Sequence, residues 1–211
     1  MKRSYPLIAL LFVCTQLKAQ LPVDREAHHK IIVENPYLRL LEGNVPAGDT
    51  TPAHVHAANS VVVFLSLSTF GIQVVGEKAV IATVNPGDMR YVPYGDKPVN
   101  HIVWNQTPSL FHFFVVELAK KPVTNDSCPM LSQPGIILQI QQPQLKAYSI
   151  DIGHDHPLHL ESSLCARLLI AITGTVSAAG ATLAPNHYQF FPPKTPIELK
   201  GDAHCVLLEM N

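Results

Sequence analysis

The stretch Gly48-Asp49-Thr50-Thr51-Pro52-Ala53-His54-Val55-His56 decides how this chain is read. His54 and His56 stand two apart, and on an extended strand residues i and i+2 project to one face, so both imidazoles can reach a single point. Downstream, Gly87 is followed after five residues by Pro93-Tyr94-Gly95, and then by His101 and Asn105. A turn between strands brings His101 back over the His54/His56 face as a third nitrogen donor. Three neutral imidazoles suit one divalent ion, with iron, zinc, copper, nickel and manganese as candidates. They leave coordination positions open for water, oxygen or substrate.

Around this segment the chain repeats short apolar runs bounded by Pro, Gly, Asn and Asp. They are Tyr37–Leu41, Val61–Leu67, Gly71–Val75, Ala79–Val84, Arg90–Val92, Ile102–Trp104 and Phe111–Leu118. Enrichment in Val, Ile and Phe between turn residues is the pattern of strands. From Lys120 to about Leu145 the pattern gives way to prolines and polar residues, with Ile136–Ile140 as one further candidate strand. Runs resume at Ala147–Ile152, Arg167–Ile172, Gln189–Phe191 and Cys205–Met210. Close spacing without intervening helical segments predicts an antiparallel sandwich or barrel.

The two halves echo one another. Phe111–Leu118 aligns with Ala203–Met210, Pro86–Pro93 with Pro185–Pro192, and Pro52-Ala53-His54 with Pro157-Leu158-His159, in the same order. A duplicated unit with a shorter second copy follows. The expected organisation is a leader over 1–19, a metal-binding unit over 20–119, a connector over 120–145 and a second unit over 146–211.

The two histidine segments resemble the motifs of the cupin superfamily. The first motif is a glycine, five residues, His-x-His, a glutamate and a later glycine; Gly48, His54 and His56 match it, with Gly71 as the final glycine. The second is a glycine, five residues, Pro-x-Gly, a gap, a histidine, three residues and an asparagine. Gly87, Pro93, Gly95, His101 and Asn105 match it, with a gap of five residues before His101. The resemblance implies an all-β chain of two cupin (double-stranded β-helix, jelly-roll) barrels, the second shorter and degenerate. It also implies a metal held by His54, His56 and His101. The family glutamate would fall at Ser60 or Val61, so the implied site has three histidines and no carboxylate, as in cupin dioxygenases that use three histidines.

Other residues carry weaker signals. His112 follows His101 on the next strand and is the candidate general base, although a core or structural histidine is the commoner outcome. Phe64, Arg90, Tyr91, Trp104 and Phe114 are the candidate pocket wall. His154, His156 and His159 crowd the second half, but the counterpart of His101 there, in Thr195–Leu199, has no histidine; a degenerate structural unit is expected. His28 and His29 read as surface residues. No nucleophile elbow and no phosphate-binding glycine loop is present.

The 211 residues are 47% hydrophobic and 15% charged, with a net charge of −1. A chain this apolar folds, and its balanced charge lacks the basic footprint of nucleic-acid binding. Lys2 and Arg3, the short apolar run Leu7–Val13 and Ala19 read as a secretory leader, so a periplasmic or secreted location is expected. Removing it takes away Lys2, Arg3 and Lys18, which moves the charge from −1 to about −4. No stretch is long enough to span a membrane. Cys128, Cys165 and Cys205 then remain, either as one disulfide plus a thiol or with Cys165 and Cys205 as buried small hydrophobes, the reading favoured here. The function that follows is an exported metal-dependent cupin enzyme acting on a small organic molecule, by a dioxygenase-type or isomerase-type reaction. The alternatives are a non-catalytic periplasmic binder of a metabolite or sugar, and a structural protein that forms a homodimer through its sheets.

Overall fold

The computed structural model of the protein describes residues 20–119 and 128–211. The expected leader, Cys14 and the start of the connector lie outside the described residues. The first half comprises β1 (Leu21–Pro22), a 3-10 turn (Val23–Arg25), β2 (His29–Glu34), β3 (Leu38–Val45), β4 (His54–His56) and β5 (Asn59–Phe64). It continues with β6 (Ser68–Val74), β7 (Val80–Val84), β8 (Met89–Pro93), β9 (Val99–Asn105) and β10 (Phe111–Leu118). The second half comprises β11 (Ile136–Gln142), β12 (Leu145–Ile152), β13 (Leu158–Leu160), β14 (Ala166–Ala178), β15 (Ala181–Leu183), β16 (Tyr188–Phe191) and β17 (Ile197–Met210).

The first half forms two five-stranded sheets, β1-β4-β9-β6-β7 and β2-β3-β10-β5-β8. The second forms a seven-stranded sheet in the order β11-β12-β17-β14-β15, with β13 paired to β17 and β16 to β14. The duplication is explicit in this order: β2-β3-β10-β5-β8 has its counterpart in β11-β12-β17-β14-β16. The aligned segments Phe111–Leu118 and Ala203–Met210 are the middle strand of each.

Those two segments are apolar at nearly every position because both of their faces are covered. Phe111, Phe113 and Val115 point into the first half, where they pack with Phe64, Phe70 and Val103. Phe114, Val116 and Leu118 point the other way, against Leu168, Ile170, Val206 and Leu208 of the second half. In β17, Cys205 and Leu207 turn inward to Tyr148, Ile150 and Leu169. Three apolar layers result, one inside each half and one between them.

Each middle strand also carries a buried carboxylate at the aligned position. Glu117 accepts from Arg39 Nε at 2.6 Å, and Glu209 from Arg167 Nε at 2.8 Å. The arginines come from different neighbours, β3 in one half and β14 in the other.

The cysteines differ from the favoured expectation. Cys165 is joined to Cys128 in a disulfide, closing a segment 37 residues apart in sequence. Among the described residues Cys205 alone is a free thiol; it is buried, and burial pushes it up to about 12. A thiolate is the reactive form, so Cys205 is expected to resist alkylation at pH 8 in the native protein and to be modified fully once it is unfolded. Peptide mapping by mass spectrometry after iodoacetamide treatment reads this directly; native labelling of the Cys205 peptide would show the strand to be open.

Candidate metal centre

β4 is three residues long, and its burial alternates: His54 and His56 turn inward while Val55 lies between them. β4 pairs antiparallel with β9, with His54 directly opposite His101. This register brings the three motif histidines together. Ring centroids are 5.1 Å apart for His54–His56, 4.7 Å for His54–His101 and 5.0 Å for His56–His101. His54 Nδ1 donates to the Pro52 carbonyl at 2.9 Å, which leaves the Nε2 lone pair free. That Nε2 lies 3.1 Å from His101 Nε2. Two nitrogens bound at ordinary zinc distances to one ion stand about 2.9 Å apart at a right angle and about 3.3 Å at a tetrahedral angle. The spacing of this His54–His101 pair fits two ligands of one metal ion.

Burial also sets the protonation state. It pushes His56 down to about 2 and His101 down to about 3, with neighbouring imidazoles adding to the effect, and holds His54 below its ordinary value. Neutral imidazoles are the ligand form.

A fourth histidine belongs to the cluster. His29, expected at the surface, is 6% exposed, with its ring 4.9 Å from His54 and 5.6 Å from His56. Ligand nitrogens of His29, His54 and His56 lie within 4.8 Å of one another. His29 opens β2, opposite Gly43 of β3, and shares its face with Ile31, which packs on the interior of the first half. The His29-x-Ile31 alternation was the available signal, and it is too short to distinguish a buried histidine from an exposed one.

Behind His29 stands Glu26, also invisible to motif reading and 1% exposed. Its Oε2 accepts from His29 Nδ1 at 2.6 Å, turning the His29 Nε2 away from the carboxylate. Its Oε1 accepts from His28 Nδ1 at 2.6 Å and from the His28 backbone N–H at 3.0 Å. His28 Nε2 in turn meets Asp49 Oδ2 at 3.1 Å. Burial alone would raise the Glu26 carboxyl, but the bonds from His29 and His28 outweigh it and hold the group at about 2. Burial alone would lower the His28 imidazole, but Glu26 and Asp49 raise it above its ordinary value. A carboxylate behind a ligating histidine fixes the ring's orientation and raises its basicity. Ser60, where the motif glutamate would fall, is buried and donates to the Ala58 carbonyl at 3.0 Å.

The cluster lies at the wall of a cavity of about 90 Å³ formed between the two sheets of the first half. Phe64 and Arg90 line it, together with Tyr94, Phe70, Phe111 and Phe113. Tyr94 stands 6.2 Å from His56 and 6.5 Å from His101, ring to ring. Burial raises its phenol, and the charge of Arg90 opposes that rise.

Other expected wall residues point elsewhere. Tyr91 and Phe114 pack in the layer between the halves, because they fall on the opposite faces of β8 and β10. Trp104 covers Gly71 across the β6–β9 pair, where a Cβ would come within 1.9 Å of the indole; the motif's last glycine thus makes room for a ring. His112, the candidate base, is on the same side of β10 as Phe114, and its Nε2 meets Glu42 Oε1 at 2.9 Å. Asn105 serves the backbone: its amide donates to the carbonyls of Val45, Pro46 and Ser109 and accepts from Thr107. In the second half His154, His156 and His159 are all exposed. Among the described residues no group of three ligands forms there.

No protein-family model matches the sequence, and no curated protein matches it. Solved structures do match. YhhW from Escherichia coli is 13% identical with a TM-score of 0.64, covering 89% of each chain. Ylba from E. coli is 9% identical with a TM-score of 0.64, over 92% of this chain and 87% of that one. Salicylate 1,2-dioxygenase from Pseudoaminobacter salicylatoxidans, solved as adducts with gentisate, is 12% identical with a TM-score of 0.60. That match covers 85% of this chain and 70% of that one. At such identities the likeness is one of fold alone, a chain built almost entirely of β-sheets.

Proposed function

We propose that this protein is an exported metal-dependent cupin enzyme that transforms a small organic molecule at one divalent ion held by His29, His54, His56 and His101. The convergence of His29, His54 and His56, with His101 facing His54, beside an apolar cavity carries this reading. Such an ion supplies Lewis-acid polarisation of a substrate oxygen or, if redox-active, reaction with dioxygen. The chain's own contribution is threefold. Burial keeps the imidazoles of His54, His56 and His101 neutral and ready to bind. Glu26 balances part of the ion's charge from behind His29. Phe64, Phe70, Phe111 and Phe113 exclude water from the reacting end. The solved dioxygenase with this fold favours oxidation over isomerisation.

The Cys128–Cys165 disulfide supports export, since such bonds persist in oxidising compartments. No helix among the described residues is long and apolar enough to cross a membrane. A second reading, a non-catalytic metabolite binder, is favoured by one observation: no carboxylate lines the cavity among the described residues. Metal analysis of the untagged exported protein, followed by oxygen-uptake assays, tests the first reading. About one equivalent of iron, copper, nickel or manganese with substrate-dependent oxygen uptake is expected. Protein that neither carries nor takes up metal would overturn it, and a metal-loaded protein that returns its ligands unchanged would establish the second.

A further inference from the structure

We infer that the cavity beside the histidine cluster binds a small aliphatic monocarboxylate, with Arg90 taking the carboxylate and the phenylalanine wall taking the hydrocarbon. This rests on the cluster being the reacting end of that cavity. β8 is an edge strand paired to β5, with Arg90 opposite Val62. Strand alternation sends Arg90, Val92 and Tyr94 toward the cavity, while Met89 and Tyr91 pack in the layer between the halves.

Among the described residues Arg90 is the one Lys or Arg along the cavity wall. Among the described residues its guanidinium makes no ion pair, unlike Arg39 and Arg167, which each hold a buried glutamate. It is exposed, so it stands at the solvent side and keeps its hydration until a ligand arrives. A planar guanidinium with unpaired donors matches a carboxylate by two parallel hydrogen bonds. The phenol of Tyr94, whose ring stands 6.2 Å from that of His56 and which feels the charge of Arg90, offers one further donor. Beyond these two groups and the histidines the wall is apolar and aromatic, with no donors for a fully polar anion such as sulfate.

Size narrows the class further. An apolar cavity of about 150 Å³ accepts benzene. The inner part of this cavity, about 90 Å³, is smaller, so the hydrocarbon it takes is short, as in acetate to butyrate.

Calorimetric titration with propionate tests the assignment, on metal-loaded and metal-stripped protein in parallel. Wild type is expected to bind one propionate per chain, with no detectable binding of propionamide and much weaker binding of benzoate and sulfate. Arg90→Gln should weaken propionate at least tenfold while retaining wild-type metal content, and Arg90→Lys should recover part of the loss. Unchanged propionate affinity in Arg90→Gln, no binding by wild type in either form, or sulfate binding as tightly as propionate would each overturn the inference. Arg90-dependent propionate binding by a chain that takes up no metal would leave the carboxylate site standing and remove the metal-dependent reading alone.

Discussion

Replacing His54 and His56 together by alanine is expected to reduce bound metal from about one equivalent to less than about a tenth, read by mass spectrometry on protein dialysed against buffered metal. The two residues are the inward pair of β4, and their rings sit 5.1 Å apart in the centre of the cluster. Removing both leaves His29 and His101 with no ligand between them. The fold should persist, because His54 and His56 make no ion pair and the sheet register rests on backbone bonds to β9. Retained circular dichroism with lost metal is therefore the expected combination. Glu26→Gln gives a graded counterpart. It keeps the shape of the group behind His29 but removes its charge, and such outer partners are worth about 10- to 100-fold in metal affinity. Wild-type affinity in Glu26→Gln would show that the 2.6 Å contact with His29 serves folding alone.

The largest loss of stability is expected from Arg167→Met. Glu209 has no exposed side-chain surface, and its partner Arg167 is 4% exposed and also donates to the Glu161 carbonyl at 2.7 Å. Deleting the arginine strands a charge in the middle strand of the second half, a loss of about 3–5 kcal/mol. For a chain of this size that lowers the midpoint of thermal unfolding by roughly 10 °C. The double variant Arg167→Met/Glu209→Leu should recover most of it, because two apolar side chains need no counter-charge. Arg39→Met in the first half should lose far less, since Arg39 is 28% exposed and water can reach Glu117 once it is gone. Thermal melts of the three variants check the order; equal losses for Arg39→Met and Arg167→Met would mean that burial does not set the scale.

Much of the architecture is legible in local periodicity. The runs from Tyr37 to Leu118 and from Ala147 to Met210 each overlap a strand, and the echo between Phe111–Leu118 and Ala203–Met210 marks the two middle strands. Elements with little apolar signal escape such a reading. The strand β2 holds only a three-residue apolar run, Ile31-Ile32-Val33, between polar and charged residues. β14 and β17 run on past their apolar cores into residues such as Thr173, Thr175 and Lys200, where ladder bonds rather than burial maintain the strand.

The centre divides in the same way. The i, i+2 rule alone puts His54 and His56 on one face, and motif spacing brings in His101. His29 and Glu26 lie outside any motif, and they arrive because β2 pairs with β3 at His29–Gly43. Tyr91, Phe114 and His112 show the converse. Their strands are correctly placed, but which face looks into the cavity depends on where the second half packs.

What the sequence by itself determined, then, is what neighbours within a few residues dictate: strand positions, the shared face of His54 and His56, and the duplicated order. Only the tertiary structure decided the rest. That includes the fourth histidine and its carboxylate, the Cys128–Cys165 pairing, the place of Tyr94 on the cavity wall, and the covered face between the halves. Each of these joins residues far apart in the chain, and their meeting is set by sheet register and by burial on a second face, quantities that no local period encodes.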